Sequence, residues 1–103
     1  MKVKELARLE AAWWFAHHQK DYATVEKAMT REFQLLFGLD RKTAAEVVKW
    51  RGEAGREYNK AKDATGKKRQ AHRRRAQRFL TRHFQLLEKA LANGDKKRRK
   101  IGK

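Results

Sequence analysis

Apolar residues recur along most of this chain with the 3.6-residue period of an amphipathic α-helix, and the alternation typical of β-strands is missing. Proline, the residue that interrupts helices most strongly, is absent from all 103 positions. A chain of this length has room for one domain with a modest core. The pattern therefore predicts a single small all-α domain over residues 1–94, with about four helices of which the last is long and basic, followed by a flexible basic tail over residues 95–103.

Polar residues and glycines divide this pattern into four helical segments. Asp21 is the expected N-cap of the second helix and Gly38 is its expected C-cap, while either Asp40 or Thr43 would cap the third. The first, second and fourth helices are predicted over residues 3–19, 22–37 and 67–92, with helix breaks at Thr65-Gly66 and Asn93-Gly94.

The fourth segment carries the strongest charge signal in the chain. No acidic residue occurs between Asp63 and Glu88, yet eight cations fall within sixteen positions. These cations are Lys67, Lys68, Arg69, Arg73, Arg74, Arg75, Arg78 and Arg82. Repulsion among so many like charges lowers stability unless a polyanion binds them, and the commonest polyanion is a phosphate backbone. The run therefore predicts a nucleic-acid-binding helix.

On a helical wheel, the fourth segment has an apolar stripe and a cationic side. The stripe that we expect to be buried consists of Ala76, Leu80, Phe84, Leu87 and Leu91. Arg74, Arg78 and Arg82 lie nearly opposite this stripe, and positions 74 to 82 cover about 12 Å, enough for about two to three phosphates of one strand. We therefore expect a folded, one-sided cationic surface.

The overall charge is divided unevenly along the chain. The formal net charge is +16, and residues 1–51 contain ten Lys/Arg and seven Asp/Glu, whereas residues 52–103 contain eighteen and five. This asymmetry indicates a scaffolding half and a binding half. The tail contains too few apolar residues to offset the entropy of ordering it, so we expect it to be mobile and to add phosphate contacts. Its predicted contact residues are Lys96, Lys97, Arg98 and Arg99.

A second candidate region, residues 30–49, resembles a helix-turn-helix motif with Gly38 at the turn. The positions that this motif keeps apolar are all apolar here, and they are Phe33, Phe37, Leu39, Ala44 and Val47. The resemblance implies DNA contacts from Arg41, Lys42 and Lys49, which would lie on the recognition helix.

Three residues of this region depart from the motif. Gln34 stands where a small residue normally allows the two helices to approach, and Asp40 and Glu46 would face phosphates unfavourably. Two amphipathic helices joined by a glycine-capped turn explain the same pattern. The helix-turn-helix interpretation and this simpler one therefore both stay open.

Adjacent tryptophans at positions 13 and 14 form a third candidate feature. Neighbouring residues on a helix point about 100° apart, so both rings cannot belong to one core face. We expect Trp13 to pack in the core. Whether Trp14 is exposed, and so able to stack on unpaired bases, stays open.

Signals of catalysis, cofactor binding and metal binding are weak. His17 and Asp21 have the spacing of two metal ligands on a helix, but no third ligand accompanies them. His72 and His83 lie in the cationic helix, where neighbouring charges oppose the binding of a metal. No phosphate-binding glycine loop or nucleophile motif is present. We therefore expect a binding protein that is not an enzyme and has no cofactor.

Duplex DNA is the first expected partner because of the helix-turn-helix resemblance, and RNA is the alternative. A different class of function is also open, namely a small interaction or inhibitor protein of the mobile-element type that docks on an acidic protein or a nucleoprotein complex. Attachment to a membrane ranks last, because the apolar stripe of the basic helix has no interfacial tryptophan. The absence of cysteine, of a secretory leader and of a long apolar run leads us to expect a cytoplasmic location.

Overall fold

The computed structural model describes the backbone of residues 2–101 and the side chains of residues 2–94. Within this part four α-helices follow one another and no strand occurs: α1 (Val3–His18), α2 (Tyr22–Phe37), α3 (Arg41–Lys62) and α4 (Gly66–Ile101). The predicted all-α fold with four helices and a long C-terminal helix is confirmed. None of the described helices combines the length and the apolar content needed to cross a membrane.

The helix ends follow from local chemistry that the sequence indicates. Asp21 accepts a hydrogen bond from the Thr24 amide at 3.3 Å, and Asp40 accepts one from the Thr43 amide at 2.7 Å. Each aspartate satisfies a main-chain donor that the first turn of a helix leaves unpaired. α2 ends at Gly38, whose φ of 65° lies in the left-handed region that favours glycine. Of the two predicted caps of the third helix, Asp40 is therefore the correct one.

Each helix packs mainly against the next one in the chain, so α3 lies between α2 and α4. The centre of the core comprises Ala16 of α1, Val25 and Met29 of α2, and Val48 of α3. The helices α1 and α4 are not among the closely packed pairs, and a groove that both of them line stays open between them.

The long apolar run of α1 faces two environments. Trp13 packs against the core as predicted, and its Nε1–H donates a hydrogen bond to Glu32 Oε2 at 3.1 Å. Trp14 and Phe15 are 50% and 67% exposed. The run is therefore apolar on more faces than α2 can cover, and it presents aromatic rings to solvent.

The buried face of α4 differs from the prediction at two adjacent positions, His83 and Phe84. Ala76 and His83 are fully buried and Leu80 is half-buried, whereas Phe84 is 55% exposed. The prediction that Phe84 belongs to the buried stripe is therefore wrong. The Nδ1–H of the buried His83 donates a hydrogen bond to the carbonyl of Val47 in α3 at 2.8 Å, which compensates for burying that nitrogen of the ring.

The C-terminal end of α4 also differs from the prediction. The sequence predicts an end at Asn93-Gly94, but the helical backbone continues through both residues to Ile101. Glycine inside a helix costs only about 1 kcal/mol relative to alanine, so it need not end the helix unless it adopts the left-handed conformation. The predicted helix end is corrected accordingly, while the mobility of residues 95–103 stays a prediction.

Candidate nucleic-acid interface

Three arginines form a straight row on the exposed side of α4. Arg74, Arg78 and Arg82 follow one another at intervals of four residues and are all exposed. Side chains four residues apart project from the same side of a helix, so the row covers about 12 Å. We call these three residues the arginine ridge.

A shallow trough runs beside the arginine ridge. Its remaining lining residues, Gln77, Thr81 and Gln85, are neutral. The amides of the two glutamines can donate hydrogen bonds, whereas the hydroxyl of Thr81 donates to the carbonyl of Gln77 at 2.9 Å. No carboxylate lines the trough, and within residues 2–94 no carboxylate forms an ion pair with Arg74 or Arg78. These guanidinium groups can therefore bind an external anion without first giving up an internal partner.

A partly buried tryptophan joins the ridge to α3. The guanidinium of Arg82 lies 5.9 Å from the centroid of the Trp50 ring, and the ammonium of Lys49 lies 5.4 Å from the same ring. Trp50 also packs against Phe79 of α4, at 5.8 Å between ring centroids. Contact with an aromatic ring attracts a cation and limits its motion. The ring therefore brings Lys49 and Arg82, both predicted as binding residues, to one place.

Arg75 has an internal partner, unlike Arg74 and Arg78. Glu57 is buried between α3 and α4, where its Oε2 lies 3.7 Å from Arg75 Nε and accepts a hydrogen bond from His72 Nδ1 at 2.6 Å. Although burial acts to raise the pKa of Glu57, the bond from His72 and the charges of Lys60 and Arg75 bring that pKa below its usual value. Part of the charge of Arg75 is therefore neutralised within the fold.

Arg69 also makes contacts within the domain. Its Nε–H donates to the carbonyls of Ala61 and Ala64, at 3.1 and 2.9 Å, where α3 ends. These carbonyls belong to the end of a helix, where main-chain acceptors lack helical partners. Arg69 therefore joins α3 to α4, and its predicted role in nucleic-acid binding stays a prediction. The remaining predicted cations of this region, Lys67, Lys68 and Arg73, are exposed.

The cations predicted on the recognition helix do not share one surface. Lys42 and Lys49, seven residues apart, lie on one side of α3, whereas Arg41 lines a groove with residues of α1 and α2. Glu46 and Glu53 lie on the same side as the two lysines. The outward side of α3 therefore carries mixed charges, and the ridge is the more uniformly cationic surface.

The apolar positions of the helix-turn-helix resemblance are occupied as expected. Ala44 and Val47 are buried, and the other three, Phe33, Phe37 and Leu39, are half-buried. This burial fits a helix-turn-helix and a plain pair of amphipathic helices equally well, so DNA contacts from α3 stay a prediction.

Two further predictions concern the cations of the basic tail and the binding of a metal. The side chains of Lys96, Lys97, Arg98 and Arg99 lie outside the described residues. Among the described side chains, no group of three or more His, Cys, Asp and Glu residues is placed to hold a metal ion.

Sequence reasoning missed Trp50, Glu57 and His83. The position of His83 could have been found, since it lies seven residues after Ala76 and seven before Ala90 on one line of the helix. The sequence gives no such signal for Trp50 and Glu57, because their contacts depend on which side of α3 packs against α4.

Comparison with known proteins gives no information about the family or the function of the chain. No protein-family model matches the chain, and no curated protein or solved structure matches it. The function must therefore be inferred from the residues of the surface itself.

Proposed function

We propose that this protein binds nucleic acid through its phosphate backbone, with the arginine ridge as the principal contact surface. The observation that carries the proposal is the row Arg74, Arg78 and Arg82, exposed beside a trough without a carboxylate. Arginine binds phosphate through two parallel N–H groups, so a rigid row of guanidinium groups both attracts and orients a phosphate backbone.

Duplex DNA is the preferred form of the ligand in this proposal. The ridge follows one side of α4, and Lys49 of α3, which contacts the same Trp50 ring as Arg82, adds a cation beyond α4. RNA is the alternative, because an arginine-rich helix also fits the grooves of structured RNA. Phosphate contacts position a protein without reading sequence, so the ridge alone predicts weak sequence preference.

We further propose that the chain is a binding protein without catalytic activity. Glu57 and His72, which lie 2.6 Å apart and can exchange a proton, connect α3 to α4. Lys60 and Arg75 surround the same carboxylate, so the pair has a structural explanation.

The test uses protein freed of bound nucleic acid by nuclease treatment and repurified from the nuclease. Binding to short DNA and RNA duplexes of equal length is measured by mobility shift at physiological salt. We expect a mobility shift with the DNA duplex. Tighter binding to the RNA duplex would show that RNA is the preferred ligand instead. Absence of binding to either duplex, together with saturable binding to an acidic protein, would replace the proposal with the interaction-protein function.

A further inference from the structure

A groove with exposed aromatic walls lies between α1 and α4, apart from the arginine ridge. Trp14 of α1, Tyr58 of α3 and Phe84 of α4 line it, and they are 50%, 43% and 55% exposed. We call it the aromatic groove. Its volume is about 350 Å³, and small residues of α3, Gly52 and Ala54, form part of its surface.

The aromatic groove continues into a cationic cleft along the start of α4. Tyr58 lines both, and the cleft is further lined by Ala61, Lys62, Arg69 and Arg73. Arg51, His17 and Tyr22 are the titratable groups of the aromatic groove besides Tyr58. No carboxylate lines the groove or the cleft among the described residues. Exposed rings and cations therefore form one continuous surface, in which Arg69 is held by main-chain carbonyls and Lys62 and Arg73 are exposed.

We propose that the aromatic groove and the cleft bind unpaired nucleotides of a nucleic acid. The bases stack on Tyr58 and Phe84, and the phosphates lie against Lys62 and Arg73. The ring of Trp14, which stacks on Trp13 and His18, forms the wall of the groove beside the bases. Stacking on aromatic rings beside a cationic channel is how proteins hold single strands without reading their sequence. This inference rests on the proposed function for the class of ligand, but it concerns a different surface from the ridge.

The charges around the groove favour this occupant over a second copy of the chain. Two copies would each bring a formal charge of +16, and their repulsion opposes a dimer through a surface whose edges are Arg51, Lys62 and Arg73. A helix from an acidic protein would also meet these cations. The exposed rings come from three different helices, and these separate aromatic surfaces suit flat bases better than the continuous apolar stripe of such a partner helix.

The test compares a 12-nucleotide oligothymidine, which forms no stable secondary structure, with a blunt DNA duplex of 12 base pairs. Tyr58→Leu and Phe84→Leu remove a ring and keep an apolar side chain. Phe15→Leu is the matched control, because Phe15 is exposed but does not line the groove. Each groove substitution should weaken oligothymidine binding about ten-fold and leave duplex binding within about two-fold. The control should leave both affinities unchanged.

A second measurement covers the case in which a groove variant fails to fold. In a Trp50→Phe background, oligothymidine should quench the fluorescence of Trp13 and Trp14, and the duplex should not. Unchanged oligothymidine affinity in the folded groove variants, or quenching by the duplex alone, would overturn the inference and leave ridge binding intact. An acidic helical peptide that binds in a Phe84-dependent manner, where oligothymidine does not bind, would assign the groove to a protein instead. Failure of both nucleic acids to bind the unaltered protein would overturn this inference and the proposed function together.

Discussion

His83 Nδ1 donates a hydrogen bond to the main-chain carbonyl of Val47 at 2.8 Å, which joins the middle of α4 to α3. Its Nε2 is buried and has no hydrogen-bond partner within the described residues. Burial and the nearby charge of Arg51 lower the pKa of His83, although the bond to Val47 acts in the opposite direction. The ring is therefore neutral in the fold and fixes the packing of the helix that carries the arginine ridge.

The first prediction concerns the pH dependence of stability. Unfolded histidine takes up a proton near its ordinary pKa of 6.5, whereas folded His83 resists protonation because its pKa is lowered. The unfolded state then binds more protons, so the melting temperature should fall as the pH drops below 6.5. His83→Asn keeps an N–H donor and removes the titration, so it should reduce this fall.

His17 should contribute to the fall in melting temperature over the same pH range, because burial and the charges of Lys62 and His18 lower its pKa. His17→Asn should therefore remove part of the remaining pH dependence of the melting temperature. A melting temperature that falls equally in the His83→Asn variant and in the unaltered protein would show that His83 is not the titrating group.

The second prediction concerns Glu57. Glu57→Gln removes the charge that His72 and Arg75 contact, and the cost in unfolding free energy at neutral pH should be about 1–3 kcal/mol. Because the pKa of Glu57 is lowered from 4.5, this cost should shrink as the pH falls below 4.5. Glu53→Gln is the control, since Glu53 pairs with the partly exposed Arg56 and its loss should cost less than about 0.5 kcal/mol. Equal costs from urea denaturation would contradict a stabilising role for Glu57.

The third prediction concerns two glycines, whose replacement by alanine should change the unfolding free energy in opposite directions. Gly38 has a φ of 65°, so Gly38→Ala should lower the unfolding free energy by about 1 kcal/mol. A Cβ at Gly55, inside α3, would lie 3.7 Å from His17 Cε1, which is an ordinary contact. Gly55→Ala should therefore raise the unfolding free energy by about 0.5–1 kcal/mol. Thermal unfolding of both variants checks the signs, and stabilisation by Gly38→Ala would contradict the left-handed turn.

The fold was largely predictable because its determinants are local. Asp21, Asp40 and Gly38 mark helix ends through contacts with their own neighbours, so the sequence contains the information. The end of α4 was not predictable in this way, since Gly94 is compatible with either a helix end or its continuation.

The candidate site was predictable only in part. The spacing of Arg74, Arg78 and Arg82 predicted that they share one side of a helix, and in the structure all three are exposed on α4. The exposure of Phe84 and the burial of His83 depend on how α4 is rotated against α3, which is decided by packing across more than thirty residues of sequence. The periodicity of the local sequence therefore contains little information about this rotation.

The fourth prediction separates the two helices that carry predicted contacts. Lys49 lies against Trp50 close to the ridge, so Lys49→Ala should weaken binding to all DNA sequences by a similar factor. Lys42→Ala should do the same to a smaller extent, because Glu46 lies beside Lys42 on α3. Affinities for several unrelated duplexes measure this effect. A selective loss on one sequence would instead show that α3 reads bases, as the helix-turn-helix resemblance implies.

The most direct test of phosphate binding by the arginine ridge is the salt dependence of DNA affinity. Arg74→Gln, Arg78→Gln and Arg82→Gln are combined in one variant, and Lys4→Gln, Arg8→Gln and Lys27→Gln, all at exposed sites, form a control with the same reduction of charge. Helicity should be unchanged in both. The slope of log affinity against log salt concentration should become shallower by about 0.9 for each phosphate that the ridge variant no longer neutralises, and it should stay near the unaltered value in the control. An unchanged slope in the ridge variant, or an equal change in both variants, would contradict phosphate binding by the ridge.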